Sequence, residues 1–416
     1  MKDLVTIKIV SIPQGFTVRD YINLALMLAS YYHRDKGLSV KCSNGFIEFS
    51  GSIDDVCESF STAYSRILDI ANAKISAGIQ CPKMHINDRN VLGKVLSKLG
   101  LAKPSRDARY IDIFKDIVKY YKDNLGDNKV CKDFTSELAL SMYTKDRVIV
   151  LGSKTSKQAF APLQPFKIEK YEYGKDFLDL SKSKMDVRAT ASWLSLMVSG
   201  WLLSYNGFLG GELVFSMPPS YIVDSSICSG EYVNTLLSAL GVDDPWEAFS
   251  VDKGYYSTPM RVKASASPAE AFYMLLALST PALKNPSLTP LRLVRISFDG
   301  KRFTMVEDVV VDLSRLKEFV ESTSVTEELR RAIEHLSRCA IQSYTGFITT
   351  SCKNMFGDNA IRMIKTLYNA IMGSYEPFYA VYMLSRLSPE PVKALPYFKN
   401  PKIVSKLMET LTGETT

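Results

Sequence analysis

The sequence predicts an α+β protein: a small antiparallel sheet with packed helices at the N-terminus, a mixed α/β middle and a C-terminal helical bundle. Three observations predict it. Period-2 alternation and turn signals fill the first 50 residues, an uncharged apolar stretch lies mid-chain, and 3.6-residue periodicity dominates from about residue 313. With 416 residues the chain is long enough for two or three domains. The expected division is 1–80, 81–312 and 313–416.

Leu4 to Ile12 alternates Val5, Ile7 and Ile9 with Thr6 and Lys8, as a half-buried strand does, and Pro13-Gln14-Gly15 ends it. Thr17 with Asp20 three residues later opens a helix that runs to about Arg34. Leu38–Cys42 and Phe46–Phe49 read as strands joined through Ser43-Asn44-Gly45, where Asn-Gly supplies the positive φ of a tight hairpin. A helix from about Ile53 to Ile75 completes a β-α-β-β-α order. Helical spacing then returns in Asn90–Leu101 and in a second helix carrying Lys115, Lys119 and Lys122. Strands are expected at Arg147–Leu151, Phe166–Tyr173 and Leu213–Phe215, a helical pair at Val233–Leu240 and Pro268–Ser279, and a hairpin of Leu291–Phe298 with Arg302–Val306 turning at Asp299-Gly300. Leu316, Phe319 and Val320, then Leu329, Ala332, Ile333 and Leu336, then Ile361, Ile364, Leu367, Tyr368 and Ile371 recur at bundle spacing.

Ala189 to Gly211 runs 23 residues without a charge, long enough to cross a bilayer. Ser192, Ser195 and Ser199 nevertheless share one face, and Asn206-Gly207 breaks the pattern. This stretch therefore reads as a buried central helix of about 15 residues whose small face lets another element approach. The seven cysteines are scattered and form no Cys-x-x-Cys pair, so neither a disulfide framework nor a zinc knuckle is expected. The N-terminus enters a strand directly, and a cytoplasmic, reducing setting is expected, with no membrane partner. An apolar fraction of 46% against 23% charged residues excludes wholesale disorder.

The formal charge is +7, and all of it lies between Lys74 and Lys132, where thirteen Lys and Arg face six Asp. Such a concentration attracts a polyanion. Lys94 and Lys98 fall one turn apart, Lys103, Arg106 and Arg109 follow in a loop broken by Pro104, and Lys115 and Lys119 continue on a helix with Tyr110, Phe114, Tyr120 and Tyr121. Cations interleaved with aromatics meet the requirement for gripping phosphates and stacking bases. A solvated helix face is the plainer account of the same lysines. Lys167, Lys170 and Lys175 with Tyr171 and Tyr173 repeat the theme weakly, beside Glu169, Glu172 and Asp176.

Catalytic signatures are weak. Gly152-Ser153-Lys154-Thr155-Ser156-Lys157 follows a strand, as a phosphate-binding loop does, but Ser156 replaces the glycine needed before Lys157. Lys154 and Lys157 read instead as phosphate-contacting residues of a basic loop. His33-Arg34-Asp35 resembles the start of a kinase catalytic loop, yet Val40 stands where its metal-binding Asn belongs. His85 and His335 show no ligand-spaced partners, and Gly207-Phe208-Leu209-Gly210-Gly211 suits either a close backbone approach or a sharp turn. No catalytic residue, metal ligand or cofactor is expected. Two other readings remain: a carboxylate- and metal-dependent enzyme on nucleotides or nucleic acid, and a protein-interaction scaffold.

A small α+β start, a basic insertion, a glycine-containing centre and a helical end with the string Leu367-Tyr-Asn-Ala-Ile-Met-Gly-Ser-Tyr-Glu-Pro-Phe-Tyr-Ala-Val-Tyr and Arg386 together resemble the large subunit of archaeal type I-A CRISPR surveillance complexes, the Cascade family. The resemblance implies a non-enzymatic subunit that contacts the guide-RNA 5′ handle, the target-adjacent DNA motif and the displaced strand. It also implies other Cascade subunits, a helicase and a nuclease effector as partners.

Overall fold

The computed structural model describes residues 4–12, 17–32, 34, 37–43, 45–144, 148–166, 186–209, 211–229, 233–235, 237–238, 242–251, 256–257, 290–300, 302–311, 315, 318–319, 322, 325–345, 349–355, 358–388 and 398–413. The chain is α+β and divides into two compact units, Met1–Ser257 with Arg292–Val309, and Thr258–Leu291 with Val310–Thr416. Among the described residues no helix is long and apolar enough to cross a membrane.

The first unit begins with β1 (Leu4–Val10), α1 (Thr17–Tyr31), β2 (Ser39–Ser43), β3 (Phe46–Ser52) and α2 (Ile53–Ser76). The three strands form an antiparallel sheet in the order β1-β3-β2. Its register sets Ile7 opposite Phe49 and Ile9 opposite Ile47, and all four are buried, as the alternation predicts. Gly45 turns the hairpin at φ +83°, a conformation that favours glycine. Ser52 caps α2 by accepting from the Asp55 amide at 3.1 Å.

Next come α3 (Ile86–Lys98), α4 (Tyr110–Asn124), α5 (Asn128–Leu138), β4 (Ser141–Tyr143), β5 (Val148–Leu151), β6 (Asp186–Ala189) and α6 (Ala191–Ser204). Every residue of α6 is buried, and α1, α2, α4 and α5 pack around it. The serine face meets α2 and α4. Ser195 Oγ lies 2.7 Å from Tyr64 Oη and Ser192 Oγ 3.2 Å from Tyr121 Oη, so the serines hydrogen-bond to tyrosines of α2 and α4. The close approach is made by Gly200, where any Cβ would fall inside the Tyr21 backbone of α1.

β7 (Tyr205–Leu209), β8 (Glu212–Met217), α7 (Ser220–Cys228), β9 (Leu291–Phe298) and β10 (Phe303–Val311) complete the unit's elements, the four strands forming a sheet in the order β10-β9-β8-β7. The expected Asp299-Gly300 turn is present, with Gly300 at φ +87°. β4 and β6 carry no clear period and escape the sequence reading. The strand expected at Phe166–Tyr173 is not seen at its start, since Phe166 closes a 3₁₀ turn with Gln164 and Pro165. Its remainder, Pro268–Ser279, Arg147, Lys167, Lys170, Lys175, Tyr171, Tyr173, His33, Asp35 and Gly210 lie outside the described residues.

The cysteines contradict the sequence expectation. Cys42–Cys228, Cys57–Cys131 and Cys339–Cys352 are disulfides, and Cys81 is a buried thiol. The partners are 186, 74 and 13 residues apart, so local spacing gives no hint of them. By loop entropy the shortest adds roughly 3 kcal/mol and the longest about 5 kcal/mol.

In the second unit α8 (Glu327–Thr345), α9 (Asp358–Ile371), α10 (Pro377–Leu387) and α11 (Pro401–Thr412) pack successively as a bundle. Its core draws on Leu329, Ile333 and Leu336 of α8, Met363, Ile364 and Leu367 of α9, Leu384 of α10 and Leu407 of α11.

One cation counted in the basic stretch is internal. Lys74, near the end of α2, is wholly buried and its ammonium donates to the carbonyls of Leu202, Leu203 and Tyr205 at 2.9, 2.7 and 2.6 Å. Those are the orphan acceptors at the C-terminal end of α6. Burial pushes the Lys74 ammonium down to about 7, while three carbonyl acceptors suit its three donors. The unfolded chain therefore holds this proton up to its ordinary pKa near 10.4, and the Lys74 contribution to stability rises with pH across that window. Lys74→Met should lose about 3 kcal/mol, read as a lower urea midpoint at unchanged slope. It should also remove the rise in stability that Lys74 contributes between about pH 7 and its ordinary pKa near 10.4.

Candidate nucleic-acid interface

The excess charge between residues 74 and 132 survives folding. Buried Lys74 leaves the surface, and so does Asp88, whose carboxylate accepts from Tyr110 Oη at 2.7 Å and from the Gln164 amide at 3.1 Å. Twelve basic residues then face five acidic ones.

Neighbouring aspartates neutralise several of the twelve. Lys83 pairs with Asp107 at 2.6 Å, Arg109 holds Asp112 through two bonds of 2.8 and 2.9 Å, and Asp123 takes both Lys119 and Lys122. The hydrogen bond from Lys83 lowers the Asp107 carboxyl, that from Lys119 lowers Asp123, and Asp112 raises the Arg109 guanidinium. Arg109 and Lys119 are therefore weaker anion ligands than the sequence suggests. Lys94, Lys103, Arg106, Lys154 and Lys157 are exposed and Lys115 half-buried, and none of the six makes an ion pair among the described residues.

The aromatic half of the expected motif is corrected. Tyr110 is fully buried, its ring packed on Phe114 and Phe303, and Phe114 and Tyr121 are also core residues. Their helical spacing serves the inner face of α4, and Tyr110 supplies the hydroxyl that satisfies Asp88, so these rings do not stack on bases. Exposed rings occur instead around the start of α10, where Tyr375, Phe378, Tyr379 and Tyr382 share one side and Arg386 Nη1 reaches the Tyr382 hydroxyl at 3.4 Å.

Two segments read separately in the sequence meet at one cleft of about 520 Å³. Lys94, Lys98, Glu137, Gly152, Ser153, Gln158, Phe160 and Thr190 line it. Lys94 and Lys98 come from α3 and Glu137 from α5. Lys98 Nζ stands 3.8 Å from Glu137 Oε1 and 5.9 Å from the centre of the Phe160 ring. Gly152 leaves β5 at φ +82°, and its missing Cβ makes room for Thr190 and Trp193. The loop then closes on itself, Ser153 Oγ lying 3.1 Å from the Thr155 amide and 2.8 Å from Gln158 Oε1, with Lys154 and Lys157 exposed.

No helix follows Gly152 directly, so the loop is not a Walker motif. A helix N-terminus reaches it from further along the chain. β6 pairs in parallel with β5, the Thr190 amide donates to Leu151 O at 3.0 Å, and Thr190 is the N-cap of α6. Only the folded chain assembles strand, loop and helix end.

Three other constellations are structural or local. Gly207 and Gly211 belong to the β7–β8 hairpin, Gly211 accepting from the Phe298 amide at 2.7 Å. His85 caps α3, its Nδ1 accepting from the Asn87 amide. His335 was expected to lack partners, yet Cys339 lies one turn on with Sγ 3.6 Å from Nε2, and Cys352 Sγ joins them within 4.8 Å. The two sulfurs are bonded to each other, which leaves His335 as the one available metal donor of the three. Burial lowers its pKa, and Arg338 adds to the effect.

No protein-family model matches the sequence, and neither a curated protein nor a solved structure is similar to it.

Replacing Lys94, Lys98, Lys103 and Arg106 together by Ala should flatten the dependence of log K on log salt by about 0.7 per lost contact on single strands. Arg109→Ala should leave that slope unchanged, because Asp112 already neutralises the guanidinium. Tyr110→Phe should cost about 1–2 kcal/mol of stability without touching affinity. A fourfold variant with the wild-type slope would remove this face from the binding surface.

Proposed function

We propose that this chain is a non-catalytic nucleic-acid-binding protein and that it serves as the large subunit of a CRISPR RNA-guided surveillance complex, the family its sequence resembles. The observation that carries the reading is the meeting of Lys94 and Lys98 with Gly152, Ser153 and Gln158 around one cleft, the exposed Lys154 and Lys157 belonging to the same loop. Surface cations such as Lys94, Lys154 and Lys157, which make no ion pair among the described residues, grip a phosphate backbone irrespective of sequence. In an RNA-guided assembly that is sufficient, because guide pairing reads the sequence and the protein needs a basic channel with a few groove contacts.

In this role the chain contacts the guide-RNA 5′ handle, the target-adjacent DNA motif and the displaced strand. The remaining Cascade subunits bind beside it, and a separate helicase and nuclease act on the opened target. The exposed rings around α10 suit base stacking in the same work. The location is cytoplasmic, and the three disulfides are compatible with that where the host is a hyperthermophile, whose intracellular proteins are rich in such bonds.

Affinity purification of the tagged chain from its native host at moderate salt should bring down short RNAs with one shared repeat-derived 5′ end, together with stoichiometric subunits. Recovery of the chain alone, without RNA, would overturn the proposal.

A further inference from the structure

His335, Cys339 and Cys352 bring three metal-ligating side chains together in the second unit, their donor atoms within 4.8 Å of one another. His335 and Cys339 stand one turn apart on α8, and Cys352 comes from the 3₁₀ turn Thr350–Met355 packed on that helix. All three are buried. Among the described residues, neither Cys42–Cys228 nor Cys57–Cys131 belongs to such a group.

The spacing is that of a metal site. Side chains four residues apart on a helix converge on one point, as the paired histidines of helical zinc sites do. Zinc bonds of about 2.3 Å to sulfur and about 2.0 Å to nitrogen, at the tetrahedral angle, put two ligand atoms roughly 3.5 Å apart. Cys339 Sγ stands 3.6 Å from His335 Nε2. The Ser351 backbone is hydrogen-bonded to the same ring, an outer contact of the kind that orients a ligating histidine.

The arrangement does not depend on the sulfur–sulfur bond. Gln342 Oε1, on the same helix, accepts from the Thr349 amide at 2.8 Å and from its hydroxyl at 3.0 Å, and the Cys352 amide donates to Thr349 O at 3.0 Å. These bonds keep Cys352 against α8 when the cystine is opened. Two thiolates also cancel the charge of a divalent cation, so the complex is neutral, as burial requires. Arg338, the cation felt by His335, is exposed and screened by solvent.

We infer that His335, Cys339 and Cys352 form a binding site for a zinc-like divalent cation, available when the two cysteines are reduced and closed by their disulfide when they are oxidised. Opening is a two-electron exchange with a dithiol. One thiolate of the dithiol attacks a cystine sulfur and the other cysteine leaves as thiolate; the second thiolate of the dithiol then displaces the remaining cysteine, and the dithiol departs as its own disulfide. The cation bonds to both cysteine sulfurs, displacing any protons they carry, and to the imidazole lone pair. Its oxidation state is unchanged, and water takes the fourth position. The inference stands apart from the nucleic-acid reading.

Cobalt(II), a spectroscopic stand-in for zinc, tests it on the full chain, reduced with a dithiol and desalted anaerobically. The reduced wild type should take up cobalt with thiolate-to-cobalt absorption and the intense visible bands of tetrahedral coordination, and zinc should displace it. The oxidised chain should show neither feature. Cys352→Ser should lose the tetrahedral bands. His335→Gln, which keeps both cysteines, should weaken cobalt affinity by at least about tenfold, the smallest loss that an outer-shell partner already causes. Far-ultraviolet circular dichroism checks that each reduced protein is folded. A reduced wild type that binds no cobalt, or tetrahedral bands that survive Cys352→Ser or are indifferent to His335→Gln, would overturn the site.

Discussion

A helix with no exposed residue must be matched by its neighbours, and α6 imposes that constraint on the first unit. Its flank meets α1 at a separation that only Gly200 permits, Ser195 and Ser192 pair with the hydroxyls of Tyr64 and Tyr121, and Trp201 stacks on Tyr205 with centroids 4.3 Å apart. Its two ends are treated differently. The carbonyl end receives a cation from inside the protein, Lys74, whereas the amide end lies beside the cleft with an uncapped Thr190. Neutralising one pole of the helix and leaving the other to the cleft gives the unit an internal field that points at the place where its surface lysines gather.

Charge along this chain separates into three jobs that composition cannot distinguish. Lys74 is structural, Arg109 and Lys119 are matched by carboxylates three or four residues further on, and Lys94, Lys103, Arg106, Lys154 and Lys157 face solvent without ion-pair partners. Helical i,i+3 and i,i+4 pairing explains the second group, since an aspartate one turn away is a closer partner than any ligand. What remains for a polyanion is smaller than the run of basic residues suggests, and better focused.

The fold was legible wherever a period or a turn signal was strong. The Asn44-Gly45 hairpin, the Asp299-Gly300 hairpin, the uncharged central helix and the bundle spacing of α8 and α9 all mark themselves locally. β4 and β6 are three- and four-residue strands with too few side chains to show alternation. The candidate site was half legible. Lys94 and Lys98 stood out by charge, but Thr190 reaches the cleft because β6 pairs with β5, and Glu137 and Phe160 arrive from α5 and from the segment after the Gly152 loop, long-range events that no window of sequence reports. Tyr110 misled for a physical reason: an amphipathic core stripe and a stacking motif have the same spacing on a helix. The disulfides were hidden in the same way, their partners being neighbours in space and not in sequence.

The central claim is that nucleic acid occupies the cleft where α3 meets the Gly152 loop, and amide hydrogen exchange with and without a saturating short RNA tests it most directly. The account predicts slowed exchange in residues 152–158 and in the first turn of α6, with little change in the β1-β3-β2 sheet. Protection confined to other surfaces, with those two segments unaffected, would contradict it.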